Sequence, residues 1–143
     1  MRIIEFSQVN SVNRESGLYE ILLKSGTLLK IGIGKDLRSR LNKHAKSYQK
    51  SLKVANGELR NVVTPEEVVS KSSILAKHLF FDSEIAPEYD LRTQSGRRQF
   101  LSDKCEIRLQ YCDMDQAKVL ERQMESTGNY RYCRRVMVRN GRN

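Results

Sequence analysis

Residues 17–44, GLYEILLKSGTLLKIGIGKDLRSRLNKH, decide how this chain folds. Leu18 to Lys24 and Thr27 to Ile33 are runs rich in Leu and Ile. Ser25-Gly26 between them is a two-residue turn signal, so the stretch predicts a β-hairpin. Gly34 breaks the second strand, and Asp36 offers a carboxylate to the amides of a following helix. Leu37, Leu41 and Ala45 recur every fourth residue and give that helix one apolar face, with an end expected between Ser47 and Lys53. One residue does not fit a buried strand: Lys30 stands where the aliphatic run should continue.

Working outward, Arg2 to Phe6 reads as a short strand. Thr64-Pro65-Glu66-Glu67 combines a cap, a proline at the first helical position and a capping-box partner, and predicts a helix running to about Phe81. Residues 82–99, with a proline, a glycine and no clear period, read as a long loop. From Lys104 to Tyr111 the chain alternates, with Cys105, Ile107, Leu109 and Tyr111 on one face of a half-buried strand. Asp113 and Gln116 start a last helix that Gly128 stops. The order ββα-α-βα describes an α/β (α+β) fold: a small mixed sheet of about three strands, the hairpin plus the later strand, flanked by helices. A single domain over 1–143 is expected, with a helical insertion at about 56–103 and a basic tail at 130–143 able to add an edge strand.

The chain has 143 residues, 38% of them apolar and 30% charged, which suits one soluble globular domain. Apolar runs are only a few residues long, so no membrane span is expected. The N-terminal MRIIEFSQ lacks a signal-peptide pattern, and a cytoplasmic location follows by default. Cys105, Cys112 and Cys133 form no CxxC pair and have no histidine at ligand spacing, which favours reduced structural thiols over a zinc site. Lys and Arg number 26 against 17 Asp and Glu, a net charge of +9, so an anionic partner such as nucleic acid is expected.

IGIGKD looks like a nucleotide loop but is not one. A P-loop needs glycine where Leu29 stands and Ser or Thr where Asp36 stands, and a dinucleotide fingerprint needs glycine at Leu37. Glu121 is more informative. Ala117, Leu120 and Met124 set the apolar face of the last helix, and Glu121 lies at its edge, where a carboxylate needs a partner. An ion pair with Arg122, Arg108 or a tail arginine would satisfy it, and so would a hard cation such as Mg²⁺. Arg40 sits one turn before His44 beside the Leu37 and Leu41 stripe, and Tyr19 lies within the first hairpin strand.

Together these positions resemble the GIY-YIG nuclease superfamily. Gly17-Leu18-Tyr19 is similar to the GIY element and Lys30-Ile31-Gly32 to the YIG element, with ten residues between Tyr19 and Lys30. The run from Asp36 to Leu41, with His44, resembles the family's catalytic helix, and Val119-Leu120-Glu121 resembles its metal-binding helix. The resemblance covers roughly residues 15–53 and 104–130. Lys30 replaces the second tyrosine, as in some restriction-type and phage-type branches, and Asn129 is a weak match to the family's terminal asparagine.

The resemblance implies a metal-dependent endonuclease that hydrolyses DNA phosphodiester bonds, with Tyr19, Lys30, Arg40, His44 and Glu121 catalytic and Glu121 holding Mg²⁺ (or Mn²⁺). Double-stranded DNA is the implied substrate, a homodimer would suit double-strand cutting, and a nucleoid, phage or mobile-element setting fits. The alternative is a DNA-binding module that keeps the fold and lacks turnover. Tyr19, whose ordinary pKa is about 10, would serve as base with its phenolate stabilised by Lys30. Arg40 would clamp phosphate oxygens. Lys35, Arg38, Lys43, Arg97, Arg98, Arg131, Arg134 and Arg135 are the candidate DNA contacts.

Overall fold

The computed structural model describes residues 1–70, 74–133 and 135–140. The hairpin forms as the sequence predicts, from β2 (Gly17–Leu23) and β3 (Leu28–Gly34). Its turn is closed by the Leu23 amide donating to Thr27 O at 2.8 Å, and Gly26 takes the φ of 110° that the turn requires. The later strand, β4 (Cys105–Tyr111), pairs with β2, and β1 (Arg2–Glu5) pairs with β4. The sheet therefore has four strands in the order β1-β4-β2-β3, and every pairing is antiparallel. β2 is interior and buried on both faces from Gly17 to Leu22, which explains its run of Leu and Ile.

Each face of the sheet is covered. On one lie α1 (Leu37–Lys46) and α3 (Gln94–Lys104), whose Leu37, Leu41, Phe100 and Leu101 share a core with Tyr19, Ile21, Ile107 and Leu109. On the other lies α4 (Met114–Glu125), where Leu120 and Met124 pack with Leu18, Ile31 and Tyr130. Asp36 and Asp113 cap their helices as expected, each accepting from the amide three residues on, at 3.0 and 2.8 Å. α1 ends at Ser47, which adopts φ 46°.

Two expectations in the middle of the chain are corrected. The capping box at Thr64 and Glu67 forms, but it opens only a 3-10 turn, Pro65–Glu67. Val68 then bridges to Val54 and the Val69 amide donates to Lys53 O at 2.8 Å, so the β-branched pair is drawn into extended structure. Among the described residues the helix α2 covers only Ile74–Phe80. Conversely, the expected loop at 82–99 contains the start of α3, with the Thr93 side chain accepting from the Gly96 amide at 3.0 Å. Val62, Val68, Ala76, Phe80 and Phe81 from the middle of the chain form a second apolar cluster with Leu52 and with Val136 of the tail.

The tail adds no regular strand among the described residues. It does run along the edge of β3: the amides of Arg131 and Tyr132 donate to Leu28 O and Leu29 O at 3.0 and 2.8 Å. Buried Asp82 pins it there, accepting from Arg131 and from the Tyr132 hydroxyl, and Arg139 bridges to the backbone at Asp82. Among the described residues no helix is long and apolar enough to cross a membrane.

Candidate active site

Tyr19 stands opposite Gly32, and Ile21 opposite Lys30, in the β2–β3 ladder. Directly paired residues share a face, so Tyr19 and Lys30 project to the same side of the hairpin. A register shift beside Ile21 inserts Leu29 as an extra residue in β3, and Leu29 fills the core next to Tyr19 and Ile21. Such bulges re-aim neighbouring side chains. Lys30 breaks the aliphatic run because it stands at the sheet edge among charged groups, not in the core.

The Tyr19 ring occupies the space above Gly32, where a built Cβ would lie 2.3 Å from the hydroxyl. The hydroxyl meets Nε2 of His44 at 2.6 Å, and both residues are buried, at 2% and 8% exposure. α1 makes this contact possible because Leu37 and Leu41 seat its apolar face on the sheet, which turns His44 inward. Burial lowers the His44 pKa to about 3, helped by the charges of Arg40 and Lys30, so the imidazole is neutral at pH 7. Burial likewise raises the Tyr19 pKa well above the ordinary value; Arg40 opposes this and Glu121 adds to it. The expected phenolate beside Lys30 is therefore replaced by a neutral phenol on a neutral imidazole, and the cation Tyr19 feels most is Arg40.

Charges from three elements surround this pair. Lys30 is half-buried, and burial lowers its pKa against the opposing pull of Glu125 and Glu121. Glu121 is half-buried too; burial and Glu125 raise its pKa while Lys30 and Arg40 lower it. Arg40 is exposed, and its Nε donates to Ile33 O in a long 3.4 Å bond. The charge of Arg40 reaches Tyr19, Lys30, His44 and Glu121, that of Lys30 reaches His44 and Glu121, and that of Glu121 reaches Tyr19, so five residues distant in sequence are joined electrostatically around Arg40.

Among the described residues Glu121 has no hydrogen bond and no ion pair within 4.0 Å, so the arginine partners that would have neutralised it are not used. Arg108 pairs with Glu20 instead, at 3.8 Å, and Arg131 with Asp82, at 2.7 Å. No group of three or more His, Cys, Asp or Glu gathers among the described residues. The donor set still suits Mg²⁺, which takes one or two protein carboxylates and keeps its waters. The carboxylates of Glu121 and, one turn on along the same face of α4, Glu125 both lack a hydrogen bond and an ion pair among the described residues. Glu125 is legible in the sequence from its i+4 spacing; Gly32 is legible as part of the YIG-like element, but the reason for a glycine there lies in its cross-strand partner Tyr19.

The peripheral candidates divide. Lys35 and Lys43 are exposed on and before α1; Arg38 is half-buried, its Nε donating to Val12 O at 2.7 Å. Arg98 is exposed and donates to Lys46 O at 2.6 Å; Arg135 is exposed, 3.5 Å from Glu66. Arg97 is corrected: it is fully buried, donating to Ser47 Oγ, Ser47 O, Leu91 O and Gln49 Oε1, with no surface for DNA. Arg131 is likewise committed to Asp82. Arg134 lies outside the described residues. Asn129 is exposed in the turn after α4, and among the described residues its side chain makes no hydrogen bond to the catalytic candidates.

No family model matches the chain, and neither does any curated protein or solved structure. The functional reading therefore rests on the chemistry of the site.

Proposed function

We propose that the chain is a metal-dependent endonuclease of GIY-YIG type acting on DNA. The observation that carries this reading is the buried Tyr19–His44 hydrogen bond of 2.6 Å, set within the fields of Lys30, Arg40 and Glu121. When DNA brings its negative phosphate beside the pair, the burial and cationic fields that keep His44 neutral in the free protein are offset, and His44 accepts the Tyr19 proton as Tyr19 Oη takes one from water, so no free phenolate need form in the buried site. The resulting hydroxide attacks phosphorus, the bond from phosphorus to the 3′ oxygen breaks, and that oxygen takes a proton from solvent. Arg40 and Lys30 neutralise the nonbridging oxygens. Glu121 would hold Mg²⁺ or Mn²⁺, which when bound would supply Lewis-acid stabilisation of the charge developing on the phosphate and leaving group. The net charge of +9 provides long-range attraction to DNA.

One observation favours the non-catalytic alternative, a DNA-binding module: Tyr19 is only 2% exposed, so water reaches its hydroxyl only if the site opens. Supercoiled plasmid with Mg²⁺ separates the two. The endonuclease reading expects nicking by the wild type, its loss in chelator, and a fall of at least about a hundredfold in Glu121→Ala. Salt-sensitive binding without nicking, unaffected by Glu121→Ala, supports the binding module instead.

A further inference from the structure

Tyr48, just beyond the C-terminal end of α1, belongs to no part of the chemistry above. Its ring is half-exposed and three cations lie over it: Lys50 Nζ is 4.9 Å from its centroid, the Arg98 guanidinium carbon 5.7 Å and Lys46 Nζ 5.8 Å, and the exposed, flexible Lys50 is the one a stacked base would displace. The ring borders a groove of about 470 Å³ lined by Phe6, Ser7, Ala45, Lys46, Tyr48, Arg98 and Ser102, with no carboxylate among them. Among the described residues the Tyr48 hydroxyl makes no hydrogen bond and the ring packs on no other aromatic.

The turn that presents Tyr48 is held from beneath. Helices often end in a left-handed residue, usually glycine; here it is Ser47, at φ 46°. Arg97, fully buried, fixes it by donating to Ser47 Oγ at 2.8 Å and Ser47 O at 2.9 Å, and then reaches Gln49 Oε1 at 2.7 Å. The next residue along α3, Arg98, donates to Lys46 O at 2.6 Å, which ties one of the three cations to the same turn. Non-glycine residues in this backbone region, over-determined by their surroundings, cluster at binding sites.

Position connects the platform to the reacting centre. Arg40, Lys43 and Lys46 are exposed and recur every third residue along α1. At about 1.5 Å and 100° per residue, Arg40 and Lys46 are about 9 Å apart along the axis and about 120° apart around it, so the exposed cations of α1 wind from the reacting centre toward the platform.

We infer that Tyr48, with Lys46, Lys50 and Arg98, is a stacking site for an unpaired nucleobase of the substrate strand. Aromatic rings inside cationic grooves hold single strands this way, each base stacked on a ring and each phosphate met by a cation. The site makes a duplex with a single-stranded extension the preferred ligand over a blunt one. This inference rests on the endonuclease reading for the identity of the strand.

The test is fluorescence anisotropy in chelator, so that no cleavage intervenes, with a blunt labelled duplex and the same duplex carrying a single-stranded extension. The wild type is expected to bind the extended duplex more tightly. Tyr48→Leu is expected to weaken that binding about tenfold, leaving the blunt duplex unchanged, whereas Tyr48→Phe keeps the preference. Lys50→Gln, at an exposed position, is expected to lower the salt slope by about one. Equal affinity of the wild type for the two duplexes, or an unchanged preference in a folded Tyr48→Leu, overturns the inference. Plasmid nicking that persists in that case shows that only the platform has failed, while absence of binding to either duplex removes the endonuclease reading as well.

Discussion

Gly32 lacks a side chain because Tyr19 fills the space: a built Cβ would lie 2.3 Å from the phenol oxygen and 2.5 Å from the adjoining ring carbon. Gly32→Ala must therefore push Tyr19 off His44, and overpacking of this kind costs about 1–3 kcal/mol. We predict a lower urea midpoint and loss of nicking together, since displacing Tyr19 breaks the 2.6 Å bond. Loss of stability with full nicking would mean that Tyr19 has no part in the chemistry. At this scale much was legible: a tyrosine in the first strand, a lysine breaking the second and a carboxylate at the edge of an apolar helix face all stood out by residue type. What the sequence does not carry is the pairing. That Tyr19 meets His44 rather than Lys30 depends on the rotation of α1 against the sheet, fixed by Leu37 and Leu41 in three dimensions.

At the scale of elements, the hairpin, α1, β4 and α4 were legible because turn, cap and period agree in each. α3 was hidden because a buried arginine, Arg97, occupies the position where an apolar residue would have marked the helix, and Gly96 weakened the pattern further. Gly96 is needed there, since a Cβ would come within 1.9 Å of Asp90 O. The helix expected from Thr64 failed for the opposite reason: its cap was genuine, but Val68 and Val69 found strand-like partners at Val54 and Lys53. The tail is held by Asp82, whose carboxylate accepts from Arg131, Tyr132 and the amides of Glu84 and Ile85. Burial opposes ionisation of Asp82, but hydrogen bonds from Arg131 and Tyr132 outweigh it and hold its pKa below the ordinary value. Asp82→Ala leaves the buried Tyr132 hydroxyl without its acceptor and Arg131 with only the 3.7 Å contact to Glu84, and we predict a loss of about 3 kcal/mol. Limited proteolysis should then cut the tail beyond residue 130, which lies along β3 in the wild type. An unchanged digestion pattern would show that the latch holds the tail without Asp82.

For the whole molecule, acid is the sharpest probe of how the site is buried. His44 and His78, at 8% and 3% exposure, both have pKa values lowered to about 3, in each case chiefly by burial. In the unfolded chain both return to about 6.5. Their contribution to stability is complete above that value and falls as pH drops toward 3, because the unfolded state then binds protons the native state refuses. The loss approaches about 1.4 kcal/mol per pH unit for each histidine within that window. His78 Nε2 has no partner among the described residues, so His78→Leu sacrifices no hydrogen bond there and should remove about half of the histidine contribution to the slope in melts from pH 6 to 5, above the range where the carboxylates titrate. A slope unchanged by the substitution would mean that His78 is not buried neutral. The central claim, that Tyr19 and His44 move the proton in a phosphodiester cleavage, is tested most directly by single-turnover plasmid nicking in Mg²⁺ with Tyr19→Phe beside the wild type. Removing the hydroxyl leaves the ring over Gly32, so the variant should fold; the rate is predicted to fall by at least about a hundredfold. An equal rate in the two proteins would contradict the account.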